Sequence, residues 1–213
     1  MNYSLNSNES TIIFYEFKII LLGDSGVGKT SLLSRYMEEG YLDNRPCTIN
    51  VDFRIKSLKI DQNTSAKVTI WDTCGQERFK SMTYRYFKDA QGIILLFDVG
   101  DKRSFNNLNK WLEEIENNIE QEDISIILVG NKIDLEFRNV STEEGKNFAK
   151  FYNLLYCETS SKEGRNVEMA FEMVTKDIIS KKTYDNNKIV SPTSSLKAVK
   201  GKVKKKNNEI NCC

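Results

Sequence analysis

One eight-residue segment, Gly23-Asp24-Ser25-Gly26-Val27-Gly28-Lys29-Thr30, constrains this chain more than any other. An apolar run at 17–22 precedes it and an apolar helical start, Ser31-Leu32-Leu33, follows. Strand, glycine-rich turn and helix make the arrangement of a phosphate-binding loop. Gly23, Gly26 and Gly28 let the backbone curl into a nest whose N–H groups point at phosphate oxygens. Lys29 puts a point charge on the β- and γ-phosphates, and Thr30 offers its hydroxyl to Mg²⁺. The partial charge at the N-terminus of the helix beginning near Lys29 favours the same anion. The segment therefore predicts a nucleoside-phosphate site lined by Ser25, Gly26, Val27, Gly28, Lys29, Thr30 and Ser31.

Such a loop does not choose a base. Asn131-Lys132-Ile133-Asp134, after the apolar run 126–129, does. Asp134 is an acceptor-only carboxylate, suited to the ring N–H and exocyclic amine of guanine. Adenine lacks that donor pair and would leave the carboxylate unpaired, which costs more than the bond is worth. Asn131 can brace the loop or meet the guanine carbonyl, and Lys132 can lay its stem along the base. A third segment, Glu158-Thr159-Ser160-Ser161-Lys162, follows the apolar run 154–157. Its small polar residues, Ser160 and Ser161, and Lys162 can touch the guanine carbonyl through the backbone. Three loops at three strand ends obey the rule that open α/β sheets bind ligands outside the carboxyl ends of their strands.

Hydrolytic parts follow the alternating stretch 67–70, in Trp71-Asp72-Thr73-Cys74-Gly75-Gln76-Glu77. Asp72 at a strand end can hold Mg²⁺, mostly through water, because that ion sheds its hydration shell reluctantly. Gly75 lets a backbone N–H approach the γ-phosphate. Gln76 can accept from an attacking water and donate to the transferring phosphoryl group. Thr48, nineteen residues past Lys29, supplies a second hydroxyl for Mg²⁺.

The hydrophobic pattern predicts strands at 17–22, 51–60, 66–72, 92–99, 125–130 and 154–158, and helices at 30–38, 104–119, 142–152 and 167–180, with a further helix after Gln76. A polar loop at 61–65 closes the strand pair as a hairpin. The later strands are continuous apolar runs, which indicates burial on both faces and parallel pairing. The expectation is an α/β fold of the P-loop NTPase kind: a doubly wound, mostly parallel six-stranded sheet, one antiparallel edge strand, and helices on both faces. Ser104 and Ser141 are expected N-caps, Ser141 forming a capping box with Glu144. Phe148 and Phe151 on one helix, and Phe171, Val174 and Ile178 on another, are expected in the core.

With the phosphate loop, Thr48-Ile49, the W-D-T-x-G-Q-E-R-F string at 71–79, N-K-x-D and E-T-S-x-K in place, the chain resembles the Rab family of Ras-superfamily small GTPases. The Rab-like markers are residues 49–53, 71–79, Tyr86-Phe87-Lys88 and the final Cys212-Cys213. The resemblance implies a switch in which GTP orders the loops around Thr48 and Gln76 and hydrolysis releases them. It implies a slow GTPase, accelerated by an activating protein, with GTP/GDP and Mg²⁺ as cofactors and Lys29, Thr48, Gly75 and Gln76 in the catalytic set. Tyr41 would stack on the guanine, as the family's aromatic does. An exchange factor, a dissociation inhibitor, an escort protein and effectors are the partners implied, around a monomer that recruits effectors in vesicle traffic. A nucleotide-locked or very slow scaffold is the second reading. A small-molecule kinase fits poorly, since N-K-x-D and the terminal cysteines would have no purpose in it.

Four departures stand out: Asn50 where the family has Gly, Cys74 for Ala, Ser25 where Ras has Gly, and Arg45 where many members carry Tyr. Arg45 lies three residues before Thr48, a spacing that resembles the cis-acting arginine of heterotrimeric Gα subunits. The resemblance implies transition-state charge that raises intrinsic hydrolysis; the alternative is a solvated charge on the loop.

Charge divides the 213-residue chain. Residues 181–213 carry nine Lys against Asp185 and Glu209, a net +7; with +1 overall, residues 1–180 hold −6. The basic run has no interleaved aromatics for single-stranded nucleic acid and ends just before Cys212-Cys213, so an anionic membrane surface is its expected partner, not nucleic acid. No run of about twenty apolar residues is present to span a membrane. The cysteine pair is not a C-a-a-X box; it matches the Rab pattern in which both cysteines receive geranylgeranyl groups. Two chains give stable anchoring where one is marginal. Five cysteines without a C-x-x-C pair, and no histidine, argue against a disulfide framework or structural zinc. The expected layout is a flexible N-terminal extension at 1–14, a GTP-binding domain at 15–180 and a basic lipidated tail at 181–213. Such a protein is cytoplasmic and peripheral on the cytosolic face of an intracellular membrane.

Overall fold

The computed structural model describes residues 13–40, 52–73, 87–119 and 124–189, with side chains through 183. Six strands form one sheet: β1 (Ile13–Leu22), β2 (Asp52–Lys59), β3 (Thr64–Asp72), β4 (Gly92–Asp98), β5 (Ser125–Asn131) and β6 (Leu155–Thr159). Their spatial order is β2-β3-β1-β4-β5-β6. β3, β1, β4, β5 and β6 run parallel, and β2 pairs antiparallel with β3 at the edge, as the hydrophobic pattern predicts. The described helices are α1 (Lys29–Tyr36), α2 (Lys102–Asn106), α3 (Leu108–Asn118), α4 (Thr142–Phe151) and α5 (Val167–Ile189). The helix expected after Gln76 lies outside the described residues.

Strand periodicity divides the core. Ile19, Leu21, Ile94, Leu96, Ile127 and Val129 face one side, where they pack with Leu32, Leu33, Phe171, Val174 and Ile178 of α1 and α5. Ile20, Leu22, Ile93, Leu95, Phe97 and Leu128 face the other, against Leu108, Leu112, Ile115 and Ala149 of α3 and α4. Alternate residues of a strand point to opposite faces, so an unbroken apolar run fills two layers at once. Full burial of each such side chain contributes about 1.5–3 kcal/mol. Tyr36 and Phe171 stack at 3.8 Å between ring centroids, joining α1 to α5.

Several expectations are corrected. β1 begins at Ile13, four residues early, because Ile13 and Phe14 continue the ladder opposite Thr64 and Ser65 although both stay exposed. β3 begins at Thr64, so the hairpin loop is shorter than 61–65. The helix expected over 104–119 is two helices meeting at Asn107. The N-cap is Asp101, whose side chain accepts from Arg103 N at 2.9 Å. Ser104 instead is buried one turn later, donating to the Asp101 carbonyl at 2.8 Å and accepting from Asp98 N at 3.0 Å. The Ser141–Glu144 capping box is present. Phe148 packs on the core, but Phe151 is 81 % exposed. At 100° per residue, Gly145, Phe148 and Ala149 share an inward arc that Phe151 falls outside. Phe171, Val174 and Ile178 are buried as expected. α5 runs to Ile189, nine residues past its expected end.

Candidate nucleotide site

β1 ends at Leu22 under the sheet's carboxyl edge, and the chain turns there through Gly23 (φ +134°), Gly26 (φ +83°) and Gly28 (φ +100°) into α1. A Cβ on Gly23 would strike the Leu96 carbonyl of β4, and one on Gly28 would strike the Asn131 amide. Only glycine fits that backbone between those neighbours. The Lys29 side chain is buried inside the loop, its Nζ donating to the carbonyls of Gly23 at 2.7 Å and Asp24 at 2.8 Å. Two carbonyl dipoles thus hold the ammonium inside the loop. Thr30 Oγ1 donates to Asp72 Oδ2 at 2.6 Å, which brings the first turn of α1 to the end of β3. Thr73 fastens the same strand end to β1 by donating to the Leu21 carbonyl at 2.6 Å.

Asp24 has a role that motif spacing did not reveal. Its carboxylate accepts from Asn107 Nδ2 at 2.7 Å and from Trp111 Nε1 at 2.8 Å. Asn107 and Trp111 are four apart, one turn of helix, and so reach the same carboxylate. Hydrogen bonds to a charged group are among the stronger ones, so α3 pins the loop.

The base-side loops meet at Asn131. Its side chain is buried at the end of β5, and Nδ2 donates to the Val27 carbonyl of the phosphate loop at 2.9 Å. Its Oδ1 accepts from Thr159 Oγ1 at 3.0 Å, Ser161 Oγ at 3.0 Å and Ser161 N at 3.2 Å. Of the two roles its chemistry allows, the structure uses Asn131 as a brace. One amide spans three loops separated by 104 and 30 residues of chain. Lys132 adopts φ +68° and pairs its Nζ with Asp98 Oδ2 at 2.7 Å, while its Cε lies beside Gly28. Ser160 Oγ donates to Asp134 Oδ1 at 2.6 Å. Behind this loop, Glu158 accepts from Arg138, from Tyr156 Oη at 2.8 Å and from Thr142 Oγ1 at 3.1 Å. Burial works against its ionisation, yet the Arg138 and Tyr156 hydrogen bonds hold its carboxyl below the ordinary range. Burial likewise pushes the Cys157 thiol up to about 11, so this thiol stays protonated.

The structure thus gathers the residues 25–31, Asp72, Asn131, Lys132, Asp134, Ser160, Ser161 and Lys162 at one edge of the sheet. Tyr41, Thr48, Gly75, Gln76, Cys212 and Cys213 lie outside the described residues, as do Arg45, Asn50 and Cys74. Sequence reasoning missed Arg35, whose guanidinium reaches the carbonyls of Ser161 and Lys162. It also missed Asp98 and the Asn107–Trp111 pair, since none belongs to a short motif.

The profile of the Ras family matches residues 18–180, a span that takes in every loop described above. The chain belongs to the Ras family. Among its relatives is Ras-related protein Rab-18 of Lymnaea stagnalis, 43 % identical over 171 residues, covering 80 % of this chain and 84 % of that protein. Ras-related protein Rab-26 of Rattus norvegicus is 40 % identical over 204 residues, 94 % of this chain and 76 % of that one. Ras-related protein Rab-11B of Dictyostelium discoideum is 48 % identical over 158 residues, 74 % and 71 % of the two chains. These place it on the Rab side of the Ras family, as a GTP-binding, GTP-hydrolysing switch of vesicle traffic.

Proposed function

We propose that this Rab-type GTPase holds GTP and GDP across the three loops. Ser25, Gly26, Val27, Gly28, Lys29, Thr30 and Ser31 take the phosphates, and Tyr41, Lys132 and Asp134 the base. The backbone of Ser160, Ser161 and Lys162 takes the guanine carbonyl. The observation that carries this reading is the buried Asn131 amide, which bonds the phosphate loop with one end and the Ser161 loop with the other. Phosphate and base sites are thereby held at one fixed spacing, as a single bound nucleotide requires.

Mg²⁺ fits the donor set: a threonine hydroxyl and a carboxylate, both hard oxygens, already meet at Thr30 and Asp72. Thr30, Asp72 and Thr48 would hold it, mostly with water and phosphate oxygens completing the shell. When bound, it would neutralise charge building on the β- and γ-oxygens. Lys29 would exchange its two carbonyl partners for phosphate oxygens. Gln76 would orient a water whose oxygen bonds to the γ-phosphorus as the bond from that phosphorus to the bridging oxygen breaks, leaving GDP and phosphate. The N–H of Gly75 would follow the γ-phosphate and couple its loss to the neighbouring loop.

The G domain at 15–180 would work as a monomer on the cytosolic face of an intracellular membrane. Two prenyl groups on Cys212 and Cys213 and the basic residues of 181–213 would hold it there. Among the described residues no helix is long and apolar enough to cross a membrane. An exchange factor, an activating protein, a dissociation inhibitor, an escort protein and effectors complete the cycle. Single-turnover hydrolysis of γ-labelled GTP, wild type beside Gln76→Leu, tests the catalytic assignment. A wild-type rate on the order of 10⁻⁴ s⁻¹ or faster, lost in Gln76→Leu, is expected; equal rates would remove Gln76 from the mechanism.

A further inference from the structure

We infer that Arg35 is a positioning residue for base recognition: through the third loop it sets the carboxylate of Asp134 against the guanine edge. The inference rests on the reading of Asp134 as the group that recognises guanine. Arg35 lies near the end of α1, six residues after Lys29, and its side chain crosses to the loop that follows β6. Nε donates to the Ser161 carbonyl at 2.9 Å, and Nη2 donates to the Lys162 carbonyl. A planar guanidinium fork is suited to two successive carbonyls in a way that an ammonium is not. Gly164 (φ +80°) carries the loop over the arginine stem, where a Cβ would stand 3.5 Å from Arg35 Cδ.

The consequence follows from peptide geometry. No described peptide is cis, so each C=O points opposite to the N–H that follows it. Holding the Lys162 carbonyl toward Arg35 turns the Glu163 N–H the other way, and that N–H donates to Ser160 Oγ at 3.0 Å. With that bond accepted, the Ser160 hydroxyl directs its own proton to Asp134 Oδ1 at 2.6 Å. Guanidinium, peptide, hydroxyl and carboxylate form one relay from the helix behind the phosphates to the group that reads the base. Asn131 grips the same loop from the other side through Ser161 N and Oγ.

The test uses the full-length protein and compares affinity for GDP with that for IDP, which lacks the exocyclic amine facing Asp134. Wild type, Asp134→Ala and Arg35→Met are titrated with both. Wild type should prefer GDP, Asp134→Ala should bring the ratio near one, and Arg35→Met should cut the ratio by about tenfold, the worth of one hydrogen bond to a charged group. A brace with no part in base reading would weaken both nucleotides alike, so an unchanged ratio in Arg35→Met overturns the inference. If Arg35→Met does not fold, Arg35→Gln, too short to span both carbonyls, is held to the same ratio. An unchanged ratio in Asp134→Ala would overturn the base reading itself and the Arg35 relay with it. A fall confined to Asp134→Ala would leave the base reading intact and remove only Arg35.

Discussion

At Gly28 the backbone stands at φ +100°, and a Cβ would run into the Asn131 amide that bridges the loops. Gly26 has φ +83° with nothing within 4 Å of a Cβ. Alanine at either position costs about 1–3 kcal/mol of backbone strain. At Gly28 it also displaces Asn131 from buried partners, roughly another 1–3 kcal/mol. Urea unfolding of the nucleotide-free protein should therefore find Gly28→Ala clearly less stable than Gly26→Ala; equal losses would show that the amide tolerates displacement. At this scale the sequence is easiest to read where a motif dictates both residue type and spacing, as at Lys29, Asn131 and Asp134. It is hardest to read where a side chain reaches across the fold. Asp24 sits inside the phosphate motif, yet its partners Asn107 and Trp111 lie 83 and 87 residues away. Arg35 reaches 126 residues along the chain to Ser161, and no local pattern encodes either meeting.

Among the elements, α4 is legible at its start because its cap is local: Ser141 Oγ accepts from Glu144 N at 3.2 Å, and Glu144 Oε2 accepts in return from Ser141 N at 2.8 Å. Lys102 and Ser141 hold the Glu144 carboxyl down to about 2, against an ordinary value of 4.5. A carboxyl depressed on folding contributes stability that is full above the unfolded value and is lost as pH falls through the folded one. The stability difference between wild type and Glu144→Gln should therefore be constant above about pH 5 and shrink between about 4.5 and 2, as followed by denaturant unfolding across that range. A difference that persists unchanged at pH 2 would place the cap's worth outside the charge. The start of α2 is less legible for a related reason. Ser104 and Asp101 are both good capping residues, and the choice fell to tertiary contact, since Ser104 is needed under Asp98 at the end of β4. Asn107 divides α2 from α3 while its amide is committed to Asp24. Phe151 stays exposed, and spacing from Phe148 alone does not say where the inward arc ends.

Over the whole molecule, the mostly parallel sheet with one antiparallel edge strand is the most legible property, because apolar strands buried on both faces and joined by helices admit few other arrangements. The strand order β2-β3-β1-β4-β5-β6 comes from the structure. That order brings the ends of β1, β3, β5 and β6 to one edge, and every described site residue that the motifs predict comes from those ends or from the start of α1. Two unrelated-looking facts, the apolar runs and the polar loops after them, are therefore one fact about topology. The inward pull of Asn131 then makes the loops a single site instead of three neighbours. Equilibrium affinity of the wild-type protein for GDP and for ADP, measured side by side in Mg²⁺, tests that claim most directly. A site that commits the half-buried Asp134 carboxylate to the guanine edge should reject adenine by on the order of 10⁴-fold. GDP and ADP bound within a few-fold of each other would contradict it, leaving a phosphate site with no base reading attached.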